Sequence, residues 1–156
     1  MLLDPLDDDA ARDPRGARRS AMDALARREY GFDELVRRLE TRGFDADTAR
    51  STVEALKAEG LQDDERFAEA MVASAARRGK GPRRIAADLA ERDVPDGIIA
   101  AALAGADVDW FELAADVRRG KFGTVKPADF TEKARQMRFL NYRGFDSEHI
   151  RHAVDT

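Results

Sequence analysis

Leu39-Glu40-Thr41-Arg42-Gly43-Phe44-Asp45 decides how this chain reads, because it comes back twice. Fifty residues on stands Leu89-Ala90-Glu91-Arg92-Asp93-Val94-Pro95, and 51 further on stands Leu140-Asn141-Tyr142-Arg143-Gly144-Phe145-Asp146. Apolar residues follow each copy at helical spacing: Ala49 and Val53, Ile99 and Leu103, Ile150 and Val154. Each block reads as helix, arginine, tight turn, apolar anchor, cap or proline, helix. Gly43 and Gly144 suit the left-handed conformation that ends a helix. Asp93 departs from glycine there, but aspartate tolerates that region better than most residues. Phe44, Val94 and Phe145 are expected to fold back onto a core, with Phe44 and Phe145 as buried anchors. Self-similarity at a fixed period of this length is the mark of a repeat architecture.

The upstream half of the unit recurs as well. Arg77-Arg78-Gly79-Lys80-Gly81 is echoed by Arg118-Arg119-Gly120-Lys121-Phe122-Gly123, and more weakly by Arg27-Arg28-Glu29-Tyr30-Gly31. Between these landmarks the apolar residues keep helical period. Trp110, Leu113, Ala114 and Val117 form one such stripe, and Phe67, Ala68, Met71, Val72 and Ala75 another. No segment alternates with period two long enough for a strand. Pro82, Pro95 and Pro127 each precede an amphipathic run, where a missing N–H is harmless. Asp33, Asp45, Asp64 and Asp146 stand where N-cap acceptors are wanted.

The expectation is an all-α protein of three tandem three-helix repeats, forming a curved, elongated, solenoid-like array. The repeats are placed at 17–60, 61–106 and 107–156, with nine principal helices and breaks near Gly43, Gly60, Gly79, Asp93, Gly105, Gly123 and Gly144. About ten extra residues in the third copy should lengthen a helix or a connection. Such short helices are marginal alone, so stacking must stabilise them. Residues 1–16 hold Pro5, Pro14, Gly16 and five aspartates without apolar periodicity, and read as a disordered acidic tail.

Composition narrows the chemistry. The chain has 156 residues and no cysteine, which excludes thiolate metal sites and a cysteine nucleophile. Its first residues lack a basic region followed by an apolar stretch, so no secretory signal is read. The apolar run Ile98–Ala104 is far short of the roughly 20 residues a bilayer span needs. A cytoplasmic location without membrane attachment is expected. Net charge is −4, yet the charge is segregated. Within 77–92 six basic residues face only Asp88 and Glu91, and within 118–143 eight face only Asp129 and Glu132. Segregation of this kind suits a surface shaped for a specific partner.

Catalytic and cofactor constellations do not assemble. Gly79-Lys80-Gly81 lacks the Ser/Thr and the preceding strand of a phosphate-binding loop. His149 and His152 lie three apart, but no further histidine or cysteine completes a metal site, so they read as surface residues near a helix end. Asp63-Asp64-Glu65 is explained by favourable charge at a helix start. No enzyme activity, cofactor or metal is read from the chain. Helix-turn-helix DNA binding is the structural competitor, since three-helix units carry it. Its acidic net charge and the lack of a helix face rich in Arg, Asn, Gln and Ser argue against base readout.

Three motifs resemble one family. Gly60-Leu61-Gln62-Asp63-Asp64-Glu65-Arg66-Phe67-Ala68, then Arg78-Gly79-Lys80-Gly81-Pro82-Arg83-Arg84-Ile85, then Arg138-Phe139-Leu140-Asn141-Tyr142-Arg143-Gly144-Phe145 resemble the RecX recombination regulators, in order and spacing across residues 18 to 155. The resemblance implies three tandem three-helix repeats and binding within the groove of RecA recombinase filaments on DNA. It also implies inhibition of ATPase, strand exchange and co-protease activity, hence negative regulation of homologous recombination and the SOS response. Weak non-specific DNA binding and a monomeric state are further expectations. The acidic extension lies outside the shared pattern. Partner contact, to filament or DNA backbone, is expected of Arg77, Arg78, Lys80, Arg83, Arg84, Arg118, Arg119 and Lys121. The alternative is a helical-repeat DNA-binding protein acting without a recombinase.

Overall fold

The computed structural model describes residues 5–156. Among them every regular element is a helix. These are α1 (Asp8–Ala11), α2 (Pro14–Leu25), α3 (Phe32–Thr41), α4 (Ala46–Ala58), α5 (Asp64–Arg77), α6 (Pro82–Glu91), α7 (Asp96–Ala104), α8 (Trp110–Phe122), α9 (Phe130–Tyr142) and α10 (Ser147–Asp155). After the single turn of α1, nine helices follow in three successive threes. None is long and apolar enough to cross a membrane.

Backbone conformation at the repeated turns follows their sequence. Gly43, Asp93 and Gly144 have φ of 103°, 60° and 95°, so the aspartate adopts the left-handed geometry of the two glycines. At the two glycine turns the next residue then bonds back into the helix it has left. The Phe44 N–H donates to the Leu39 carbonyl at 3.0 Å, and that of Phe145 to Leu140 at 3.2 Å. Phe145 is fully buried. Phe44 is only half-buried, a departure from expectation, because it packs against the edge of the first core with its ring beside Gly16 at the start of α2.

Contacts divide the chain into two compact units. One comprises the residues up to Ala68 together with Arg92–Val94; the other comprises Glu69–Glu91 with Pro95–Thr156. The first has a core of Leu35, Val36 and Leu39 from α3 against Ala49, Val53 and Leu56 from α4, closed by Ala21 and Ala24 of α2. Alanines let the helices approach closely, and each fully buried leucine contributes about 1.5–3 kcal/mol of burial. The second unit centres on Ala114, Ala115, Leu140, Phe145, Ile150, Ala153 and Val154.

Several local expectations need correction. The segment 1–16 is not a disordered tail over its described part; Met1–Asp4 lie outside the described residues. Its aspartates and proline are helix-start signals. Asp7 Oδ1 accepts from the Ala10 N–H at 2.8 Å, Asp13 Oδ1 from Arg15 at 3.0 Å, and Pro14 opens α2. The Asp45 N–H donates to the Ala11 carbonyl at 2.8 Å, and Leu6 lies against Gly43, tying this segment to the first repeated turn. Asp33 sits inside the first turn of α3, whose N-cap is Gly31. Asp64 caps a different helix from its own: its Oδ1 accepts from the Phe32 N–H at 2.9 Å and from Gln62 Nε2 at 3.1 Å. Asp63 is the acceptor at the start of α5, bonding the Glu65 and Arg66 N–H groups.

The motif Gln62-Asp63-Asp64 is therefore a latch. Buried Gln62 also donates to the Tyr30 carbonyl at 3.1 Å, so one short segment satisfies backbone groups on both sides of Gly31. His149 is another departure, since it is buried, not a surface residue. Its ring stands edge-on to Phe111 at 4.7 Å, and its Nδ1 accepts from the Asp146 N–H at 3.3 Å at the start of α10.

Candidate partner-binding surface

The basic segment 77–84 begins at the end of α5. Gly79 (φ 80°) ends that helix, and Pro82 opens α6 three residues later. The segment is held by the third repeated turn. The Gly81 N–H donates to the Arg143 carbonyl at 2.8 Å, and the Arg83 N–H to the Gly144 carbonyl at 2.9 Å. In return, Arg143 donates through Nε to the Gly79 carbonyl at 3.2 Å and through Nη2 to that of Arg78. The approach is too close for any side chain. A Cβ on Gly81 would stand 2.4 Å from the Gly144 carbonyl carbon, and one on Gly144 would stand 2.3 Å from the Arg84 Cβ.

This interlock sorts the arginines. Arg77 and Arg78 are exposed, and the Arg78 guanidinium donates to Ser74 Oγ at 3.0 Å. Arg83 is exposed and donates to Asn141 Oδ1 at 3.0 Å. Lys80 is turned inward and shares Asp88 with Arg84, at 3.2 and 3.7 Å. The guanidinium of Arg84 also lies 5.7 Å from the centre of the Tyr142 ring. Arg77, Arg78 and Arg83 thus present charge outward, while Lys80 and Arg84 are partly neutralised in place.

Comparison with known proteins fixes the family. Residues 63–103 match the family model for the second three-helix domain of RecX, and residues 107–154 match that for the third. The chain belongs to the RecX family. The regulatory protein RecX of Halorhodospira halophila is 45% identical over 88% of this chain and 85% of its own length. That of Ectopseudomonas mendocina is 41% identical over 88% and 91%. Crystal structures share the fold: RecX from Lactobacillus salivarius superposes with a TM-score of 0.75 at 17% identity, covering 91% of this chain and 94% of that one. A second RecX regulatory protein gives 0.77 at 19% identity, covering 100% and 81%. A regulatory role of the RecX kind follows from this membership.

Within this RecX chain the second basic group is differently built. Arg118, Arg119 and Lys121 lie inside α8, which runs through Gly120 to Phe122. Arg118 is 1% exposed, donating through Nη1 to Gln136 Oε1 at 3.2 Å and to the Val125 carbonyl at 3.4 Å. It ties α8 to α9 and holds the connection between them, so it is removed from the set of surface contacts. Arg119 is paired with Asp116 and Glu112, and both raise its pKa, Asp116 first. Only Lys121 stays exposed, with its ammonium 5.6 Å from the Phe139 ring centre. The second group is chiefly a structural one. Sequence reading misses Arg143 and Asn141 as the partners of the first group, although both stand in the third copy of the repeated block. The connection expected to be longer in the third copy is so, spanning 123–129 where the second has 78–81.

Proposed function

We propose that this RecX chain is a negative regulator of homologous recombination and the SOS response. It binds RecA–DNA filaments in their groove and inhibits ATPase, strand-exchange and co-protease activities. Family membership carries this reading, and the outward-facing arginines 77, 78 and 83 on a rigid interlocked turn supply a contact surface consistent with it. Three repeats at 17–60, 61–106 and 107–156 allow several weak contacts to act together, giving avidity none has alone. The acidic net charge disfavours the alternative, a DNA-binding protein acting without a recombinase.

Titration of RecA's DNA-dependent ATPase with this chain tests the proposal. Wild type lowers the rate. Arg83→Ala with Arg84→Ala inhibits less at equal concentration, with little change in melting temperature, since exposed pairs of this kind contribute about 0–1 kcal/mol. An ATPase indifferent to the wild-type chain sinks the reading. A double variant as potent as wild type moves the contact surface elsewhere.

A further inference from the structure

A second basic site lies in the other unit, where none was expected from the motifs. Arg28, Arg37, Arg38 and Arg42 converge with Tyr30 and Glu34 around a concavity of about 630 Å³. That is within the range of about 300–1,000 Å³ typical of ligand sites. Four guanidiniums meet one carboxylate, and that carboxylate is already engaged. Glu34 Oε1 pairs with Arg28 at 3.0 Å, and its Oε2 with Arg92 at 3.5 Å. Arg28 is further fixed by the Glu29 carbonyl at 2.9 Å and by the face of Tyr30, whose ring centre lies 3.7 Å from its guanidinium carbon. Arg37 is fixed by Asp93 at 2.8 Å. Neither Arg38 nor Arg42 pairs with a carboxylate among the described residues, and Arg38 Nε is shielded from solvent with no acceptor. The carbonyl end of α3 favours cations by itself. That accounts for one or two arginines there, not for four that converge from the helix and the preceding turn.

We infer that this concavity is a binding site for an acidic polypeptide segment, carboxylates meeting Arg38 and Arg42. Guanidinium forks match carboxylates in geometry and charge. Arg38 and Arg42 are four apart at the end of α3, so they are neighbours on one face. Carboxylates on alternate residues of an extended peptide lie on one side of it, about 7 Å apart, a spacing two such neighbours can take together. Single-stranded nucleic acid fits less well, since its binding relies on exposed aromatic faces. The one ring here is 7% exposed and lies beneath Arg28. The inference stands apart from the recombinase reading.

The test is fluorescence anisotropy on the full chain with a short labelled peptide of alternating Glu and Gly, without any recombinase. Saturable binding is expected, suppressed by salt and absent for the Gln–Gly peptide. Arg38→Gln with Arg42→Gln weakens it about tenfold or more, and Arg38→Lys with Arg42→Lys weakens it less, both with unchanged helical circular dichroism. No saturable binding, equal binding of the neutral peptide, or an unaffected double variant overturns the inference. Oligo-dT that binds more tightly than the acidic peptide and loses affinity in the same variants also overturns it, by assigning the site to nucleic acid.

Discussion

Arg77-Arg78-Gly79-Lys80 and Arg118-Arg119-Gly120-Lys121 have the same residues in the same order, and they end in different structures. In the first, Gly79 turns left-handed and the helix stops; in the second, Gly120 stays helical and α8 continues to Phe122. The residues just after each string decide between the two. Gly81-Pro82 cannot continue a helix, and its backbone docks onto the Arg143-Gly144 turn. Phe122 instead adds an apolar contact, edge-on to Phe139 at 5.4 Å, and termination waits for Gly123 at φ 83°. At matching positions of the two strings, Arg77 faces solvent while Arg118 is enclosed. Identical strings thus supply an exposed basic surface in one connection and an internal brace in the other.

The sharpest way to break this contrast is to add a methyl group in the first connection. Gly81→Ala should destabilise the chain by about 3 kcal/mol or more in urea titration, because the clash is with backbone that cannot yield. A variant with an unchanged midpoint would mean that the turns do not interlock. Next comes the brace. Arg118→Ala should cost about 1–3 kcal/mol, since it leaves Gln136 Oε1 without its buried donor, whereas Arg77→Ala should stay within about 0.5 kcal/mol. Equal losses would erase the distinction between the two groups. Smaller and opposite in sign, Gly120→Ala should stabilise by about 0.5–1 kcal/mol, being helical with no atom within 4 Å of the added Cβ. Gly79→Ala should destabilise, since its φ is 80° and its Cβ would stand 2.9 Å from Arg143 Nη2.

The smallest effect calibrates what an exposed arginine contributes when its partner is known. Arg18 bonds Glu59 bidentately at 2.7 and 2.8 Å, and that hydrogen bonding holds the Glu59 carboxyl below its ordinary range. A depressed carboxyl stabilises the fold above its unfolded pKa and loses that contribution as pH falls through the folded value. The slight loss of stability on acidification below the usual carboxylate range should therefore be reduced in Glu59→Gln. Thermal melts at stepped acidic pH read it.

How far the sequence carries is uneven, and the reasons are physical. The repeated turns are legible because left-handed geometry demands Gly or a tolerant Asp, and apolar anchors must follow at fixed distance. Residues 7–16 mislead because aspartate and proline mark both disorder and helix starts; only the contacts of Leu6 and Ala11 with the Gly43 turn separate the two. The surface group is half legible. Its arginines are visible in the sequence, but which of them face outward depends on partners more than fifty residues away, Asn141 and Arg143. The Arg28–Arg42 concavity gives little signal, because Glu29, Asp33, Glu34 and Glu40 are interspersed with its arginines and make the stretch look like an ordinary charged helix.

We propose that the first connection, not the second, presents this RecX chain to a recombinase filament. Pull-down of RecA filaments on single-stranded DNA, with the naked DNA as control, tests it directly. Wild type should be retained by filaments well above the naked-DNA level. Arg77→Ala/Arg78→Ala/Arg83→Ala should be largely lost from them, and Arg119→Ala should be retained like wild type. Retention of the triple variant at the wild-type level, or equal retention of wild type on naked DNA, would contradict it.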